Sequence, residues 1–271
     1  MTMNRRTLTL ALALCALGLN AAAPLARAQS DALTAIRAAR KVRIGMDVAV
    51  APYAFKDEKL KLTGSDAEVA QLLARDLGVE LEIVPLTSAN RVPFLVTQKV
   101  DLVISTLAIT PERQKVIDFS VAYSAGFNGI VGPKGVSLQG PGDLVGKKVA
   151  VTRGTTYDAQ VTAKAPKGTE IVRFDDEATT MTALVSGQVD IVAQSFALTP
   201  LLQKRVPGKD FETKFVLEEV LFGIGVRKGN EPLRDWTDAW VRTNLKNGRL
   251  NDVFQRFHSQ GLPAKLIAQG G

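Results

Sequence analysis

The densest run of potential chemistry is Ser105-Thr106-Leu107-Ala108-Ile109-Thr110-Pro111-Glu112-Arg113. Its first two residues, both hydroxyl-bearing, close the apolar, β-branched stretch from Val100 to Thr106, which reads as a buried strand of a parallel sheet. Thr110 and Pro111 then have the types favoured at the N-cap and first position of a helix. Ligands of open α/β sheets bind beyond the carboxyl ends of strands, where Ser105 and Thr106 fall. Arg113, in the first turn of that helix, can reach back and offer a planar, two-pronged donor to a carboxylate. By spacing alone the same pattern also describes a capped helix with a surface arginine, and both readings stand at this point.

A second segment points the same way. Val149 to Thr156 is a strand running into Gly154-Thr155-Thr156 ahead of a helix-like stretch. Backbone N–H groups at such a helix start, with a hydroxyl beside them, bind anionic oxygens. It is not a P-loop, because no Gly-Lys-Ser/Thr follows, and the chain has no GxGxxG for a dinucleotide. The residues that nucleophilic and metal chemistry need are scarce. His258 is the one histidine and Cys15 the one cysteine, so no catalytic residue, cofactor or metal site is expected.

The elements that must position these groups alternate between strand and helix patterns. Lys41 to Gly45, Glu80 to Val84 and Val100 to Thr106 read as strands. Between them lie a helix over Asp66 to Leu77, with apolar Val69, Leu72, Leu73 and Leu77 before Gly78, and a shorter one over Val92 to Gln98. This βαβαβ order argues for an open α/β sheet. A second unit begins near Gly129, with strands at Ile130–Gly132, Lys148–Thr152 and Val189–Ala193 and a helix over Ala178–Ser186. Phe215 to Val226 reads as strands returning to the first unit. Helices over Pro232–Lys246, with Trp236 and Trp240 as packing anchors, and Leu250–His258 follow. The expected architecture is α/β with two lobes, each an open sheet flanked by helices, joined by two hinge crossings. Residues 29–128 and 221–271 form lobe 1, and residues 129–220 form lobe 2.

The first 28 residues read as a cleavable signal peptide. Arg5-Arg6 supplies the positive start, Thr7 to Leu19 is an apolar run too short to span a bilayer, and Ala26-Arg27-Ala28 matches a signal-peptidase site. The bulky Leu14 before Cys15 argues against a lipoprotein, and the twin arginines leave Sec and Tat export both open. Residues 1–28 hold Arg5, Arg6 and Arg27 and no acid, so the net charge of +7 falls to +4 without them. That small, dispersed charge gives no case for nucleic acid. About 240 residues then remain, enough for one large core or two modest ones. A periplasmic monomer is expected.

Motifs in order along the chain resemble one family, the family 3 extracellular solute-binding proteins, the polar amino-acid receptors of ABC importers. They are Ile44-Gly45-Met46-Asp47 with Ala51-Pro52-Tyr53, Gly64 to Ala70, Lys99 to Val103, Thr110 to Arg113, Asp118-Phe119-Ser120 with Ala122-Tyr123, Gly154-Thr155-Thr156 and Ser186 to Asp190. The resemblance implies a two-lobed clamp that closes on a small amino acid and delivers it to a membrane permease. It implies that Arg113 pairs with a ligand α-carboxylate, that Thr156 donates to the same group, and that Ser105, Thr106 and Asp47 line the pocket. Thr87 to Pro93 is similar to a stretch of aspartate- and glutamate-binding members, which makes Ser88 and Arg91 candidates for a side-chain carboxylate. As a solvated helix arginine, Arg91 would have no such role.

Three positions depart from the family pattern. Ser195 stands where members hold the ligand ammonium with an aspartate, Ala108 replaces a hydroxyl contact, and Val50 replaces a covering aromatic. A buried ammonium without a carboxylate is costly. Either Asp47 or a neighbour therefore supplies the counter-charge, or the ligand is a small carboxylate without an α-amine. Two other functions share the fold. The cyclohexadienyl dehydratases use a second-lobe acid that would fall near Leu198, and no acid stands between Asp190 and Asp210. A sensor ectodomain would continue into a membrane helix, which the sequence to Gly271 lacks.

Overall fold

The computed structural model describes residues 31–205, 208 and 210–270. The signal-peptide segment, including Cys15, lies outside the described residues. In chain order the elements begin with helix α1 (Ala32–Ala39), strands β1 (Lys41–Met46), β2 (Phe55–Lys56) and β3 (Leu62–Thr63), helix α2 (Ser65–Leu77) and strand β4 (Glu80–Pro85). Helix α3 (Arg91–Val96), strand β5 (Leu102–Val103), helix α4 (Pro111–Gln114) and the long strand β6 (Ile117–Pro133) follow. Next come β7 (Lys148–Thr152), α5 (Thr156–Lys164), β8 (Glu170–Phe174), α6 (Glu177–Ser186), β9 (Ile191–Ser195) and α7 (Thr199–Arg205). The chain closes with β10 (Phe211–Arg227), α8 (Glu231–Lys246), α9 (Arg249–His258) and α10 (Ala264–Ile267).

Eight strands form one sheet in the order β4-β1-β5-β10-β6-β9-β7-β8. One flank, β4-β1-β5, is parallel, and so is the other, β9-β7-β8. Between them run β6 and β10, each 17 residues long and paired antiparallel from Ile117/Arg227 to Pro133/Phe211. The two flanks bury separate cores. Val42, Ile44, Leu73, Leu102, Ile104 and Ile224 belong to one, and Val149, Val151 and Ile191 to another on the far side. This is a two-lobed α/β clamp with two crossings.

Most of the expected elements are present, and the differences are informative. The strand expected over Val100 to Thr106 shrinks to two residues. Ile104 still donates to the Gly45 carbonyl at 3.2 Å, but Thr106 turns to a φ of 43° and leaves the sheet. The stretch at 117–133 holds Gly126, Gly129 and Gly132, which in sequence look like breaks rather than an unbroken strand. At Gly129 the reason is packing: a Cβ there would lie 1.9 Å from Cε1 of Phe196, so the glycine makes room for a ring. Trp240 is buried and its Nε1 donates to Asp76 Oδ2 at 2.8 Å, while Arg249 takes both oxygens of the same carboxylate at 3.0 and 3.1 Å. These contacts tie α8 and α9 to α2, consistent with Trp240 as an anchor.

Candidate functional site

The loops at the strand ends converge on a cleft between the flanks. Its lining includes Val50, Tyr53, Arg91, Thr106, Arg113 and Phe222 from one side, and Asn128, Thr155, Thr156, Tyr157, Glu177, Gln194 and Ser195 from β6 and the other. The two sides stand close together: only about 20 Å³ between them admits the centre of a water-sized sphere, room for little more than one water.

Arg113 owes its position to its helix. Thr110 Oγ1 accepts the Arg113 N–H at 3.3 Å, and Pro111 occupies the first turn, which is the N-cap arrangement expected from the sequence. Its guanidinium then crosses the cleft, with Nη1 donating to the Ala108 carbonyl at 2.9 Å and Nη2 to the Gly154 carbonyl at 3.0 Å. Burial, reinforced by the like charge of Arg91, pushes the Arg113 guanidinium down to about 9.

Arg91 is only 4% exposed. Its Nε donates to the Ser88 carbonyl at 3.0 Å, and its Nη1 to the carbonyls of Ser105 at 2.8 Å and Thr106 at 3.0 Å. The side chain therefore holds two loops together while lining the cleft, with Nη2 left free of chain partners among the described residues. Neither arginine forms an ion pair with a carboxylate among the described residues.

The other expected residues divide into two groups. Thr106, Thr156 and Ser195 line the cleft beside the arginines. Asp47, Ser88 and Ser105 are buried outside the lining and bonded to one another: Ser88 Oγ donates to Asp47 Oδ2 at 3.1 Å, and the Asp47 N–H donates to Ser105 Oγ at 2.9 Å. Burial raises the Asp47 carboxyl, and Arg91 pulls it back. On the far side, Asn128 Nδ2 donates to Thr156 Oγ1 at 2.8 Å, which leaves the threonine proton available to a ligand. Thr156 also opens α5, whose first N–H groups face the same end.

Several lining residues carried no clear signal in the sequence. Tyr53, part of the Ala51-Pro52-Tyr53 motif, places its hydroxyl 3.4 Å from Ser195 Oγ. Glu177 is 2% exposed and accepts from Thr152 Oγ1 at 3.0 Å, from Gln194 Nε2 at 2.8 Å and from the Tyr157 hydroxyl. Burial raises its carboxyl above the usual range. In sequence it is an acid in the first turn of a helix after Asp175-Asp176, the commonest place for one. Among the described residues, no three His, Cys, Asp or Glu side chains are grouped to hold a metal.

Asp66 supports the site from behind. Its carboxylate accepts the Thr106 N–H at 2.7 Å and the Tyr123 hydroxyl at 2.8 Å, fixing the residue that leaves the sheet. Burial pushes it up to about 6. The folded state thus binds more protons than the unfolded chain between an ordinary aspartate value and about 6, so this group's contribution falls as pH rises through that window. In denaturant unfolding, wild type should lose stability relative to Asp66→Asn as pH is raised from 4 to 7. A difference that stays flat would show that Asp66 does not titrate there.

Residues 42–260 match the bacterial extracellular solute-binding proteins, family 3. The L-arginine-binding protein of Pseudomonas aeruginosa is 31% identical over 238 residues, covering 84% of this chain and 91% of that relative. Among solved structures, a mutant of ArgBP from T. maritima superposes with a TM-score of 0.78 at 33% identity, covering 84% of this chain and all of its own. The ancestral amino acid-binding protein AncCDT-1, described as a precursor of cyclohexadienyl dehydratase, gives a TM-score of 0.76 at 30% identity, with 83% and 99% covered.

Proposed function

This chain belongs to the bacterial extracellular solute-binding proteins, family 3, and from that premise we propose that it is a periplasmic receptor. It captures a small amino acid, acidic or polar, and hands it to the permease of an ABC importer. The observation that carries this reading is the pair Arg91 and Arg113, two guanidinium groups sheltered in one cleft with no carboxylate of the described chain paired to either. Asp47 and Asp66 bear on Arg91 from behind, whereas only the exposed Glu112 bears on Arg113, and a sheltered cation so placed is costly until an anion meets it. Arg113 takes the α-carboxylate with Thr156, and the remaining Nη2 of Arg91 faces a second acidic or polar group. Thr106 and Ser195 complete the lining, while Asp47, Ser88 and Ser105 hold Arg91 in place.

The lobes are residues 29–128 with 221–271, and residues 129–220, with β6 and β10 as the crossings. The contacts from Arg113 to Gly154 and from Tyr53 to Ser195 belong to the closed form. Export follows from the signal peptide at 1–28, and no described helix is long and apolar enough to cross a membrane. A dehydratase has less support, because the position of its acid falls on Leu198, buried in the core. Ser195 and Ala108 favour one second reading, a receptor for an amine-free dicarboxylate.

A thermal-shift screen separates the readings, since a ligand selective for the folded state raises its melting temperature. Aspartate, glutamate or glutamine at a hundred times Kd should raise it by roughly 5–10 °C. Shifts from basic or aliphatic amino acids alone would overturn the acidic or polar assignment. Larger shifts from succinate or glutarate than from the matching amino acids would select the second reading.

A further inference from the structure

The cleft has opposite charges on its two sides. Arg91 and Arg113 project from one lobe, and Glu177 is on the other, lining the same space. The chain already supplies Glu177 with three donors, from Tyr157, Thr152 and Gln194. A carboxylate offers about four lone-pair sites, so one acceptor site remains, on Oε1, which takes only the Tyr157 hydroxyl. No lysine or arginine among the described residues pairs with Glu177, and Asp47 bears on it with a charge of its own sign. A neutral glutamine could serve a purely structural network of hydroxyl and amide groups. A buried carboxylate is retained at a cost unless something cationic meets it.

We propose that Glu177 is the counter-charge for a ligand ammonium group, replacing the acid that β9 lacks at Ser195. The cleft is then complementary to a zwitterion: guanidinium groups for the carboxylate end and Glu177 for the amine. This inference rests on the receptor reading above and decides between its two ligand classes. Burial raises the Glu177 carboxyl in the free protein, and an ammonium in contact would return it to the ionised form. Glu177 is in this sense a specificity-determining residue. Asp47, the alternative counter-charge, is held outside the lining by hydrogen bonds from the Ser88 hydroxyl and the Ala49 N–H.

The test is calorimetric titration of wild type, Glu177→Gln and Glu177→Asp with L-glutamate and L-aspartate and with their amine-free counterparts, glutarate and succinate. Ligand-free melting of each variant is measured alongside. Wild type should prefer the amino acids. Glu177→Gln, which keeps the size and most of the hydrogen bonding, should lose roughly 100-fold in affinity for them and nothing for the amine-free acids. Glu177→Asp, which keeps the charge, should retain part of the preference, and it carries the test if the glutamine variant does not fold. An equal loss for both classes would reduce Glu177 to scaffold and overturn the inference, as would unchanged amino-acid affinity. A wild-type preference for glutarate would also overturn it, while leaving the receptor reading standing. Failure of both classes to bind wild type would overturn the acidic-ligand reading; wild type and Glu177→Gln are then compared with L-glutamine, and equal affinity of the two, or no binding to wild type, would overturn this inference.

Discussion

Arg113→Ala is expected to abolish ligand capture while leaving the ligand-free protein folded. In the bound form the guanidinium would meet the ligand carboxylate in a sheltered cleft, and truncating one partner of such a pair costs about 2–5 kcal/mol or more. That corresponds to a loss of roughly 30-fold to several thousand-fold in affinity. The free protein responds differently. There the guanidinium is sheltered beside Arg91 with no anion, so its value is depressed to about 9. A cation with a depressed folded value opposes folding at all pH below that value, and the penalty fades as pH rises through and above 9. Removing it relieves that penalty and sacrifices two hydrogen bonds, to the carbonyls of Ala108 and Gly154. Titration calorimetry should therefore show no binding, while the ligand-free melting temperature stays within a few degrees of wild type. A variant that binds normally would remove Arg113 from the site.

Gly154→Ala should be nearly as damaging, through closure rather than contact. Gly154 has a φ of +76°, and a Cβ there would lie 2.6 Å from Cα of Ala89 and 3.0 Å from its nitrogen, both backbone atoms of the facing loop. No side chain can move aside to relieve that clash. The substitution must hold the lobes apart at the mouth and lengthen the Arg113 bond to the Gly154 carbonyl. An affinity loss of at least tenfold is expected, since a receptor that cannot populate its binding-competent form loses affinity in proportion. Small-angle scattering should show no compaction on adding ligand. Full compaction with unchanged affinity would rule the contact out as a determinant of closure.

Much of the fold was legible because its signals are local. Val69, Leu72, Leu73 and Leu77 mark α2 by spacing alone, and Thr110-Pro111 marks the start of α4 by capping chemistry. The long crossings were harder, because Gly129 is dictated by the Phe196 ring, 67 positions on in the chain, and looks like a break without it. The site divided along the same line. Arg113 and Thr156 stand in motifs whose context announces them. Glu177 does not: an acid in a first helical turn is ordinary until folding brings Gln194 and Tyr157 around it. Asp47, Ser88 and Ser105 illustrate the opposite case. Their types suit a pocket, and the structure uses their hydrogen bonds one layer further back.

The two 17-residue strands through the middle of the sheet bear on the tempo of capture. They remain paired along their whole length, with irregularities in register at Thr213/Phe215, Val216/Glu218, Phe222/Gly223 and Gly223/Gly225. At each irregularity the ladder is locally interrupted and the strand bends, while the pairing resumes on either side. Under the receptor reading, opening about this ribbon would break only the few contacts across the cleft, and hinge motions of this class run on the microsecond-to-millisecond scale. On that reading, arrival of ligand would be governed by diffusion into a cleft that opens and closes on that scale, and discrimination among ligands would be written in how long each one stays.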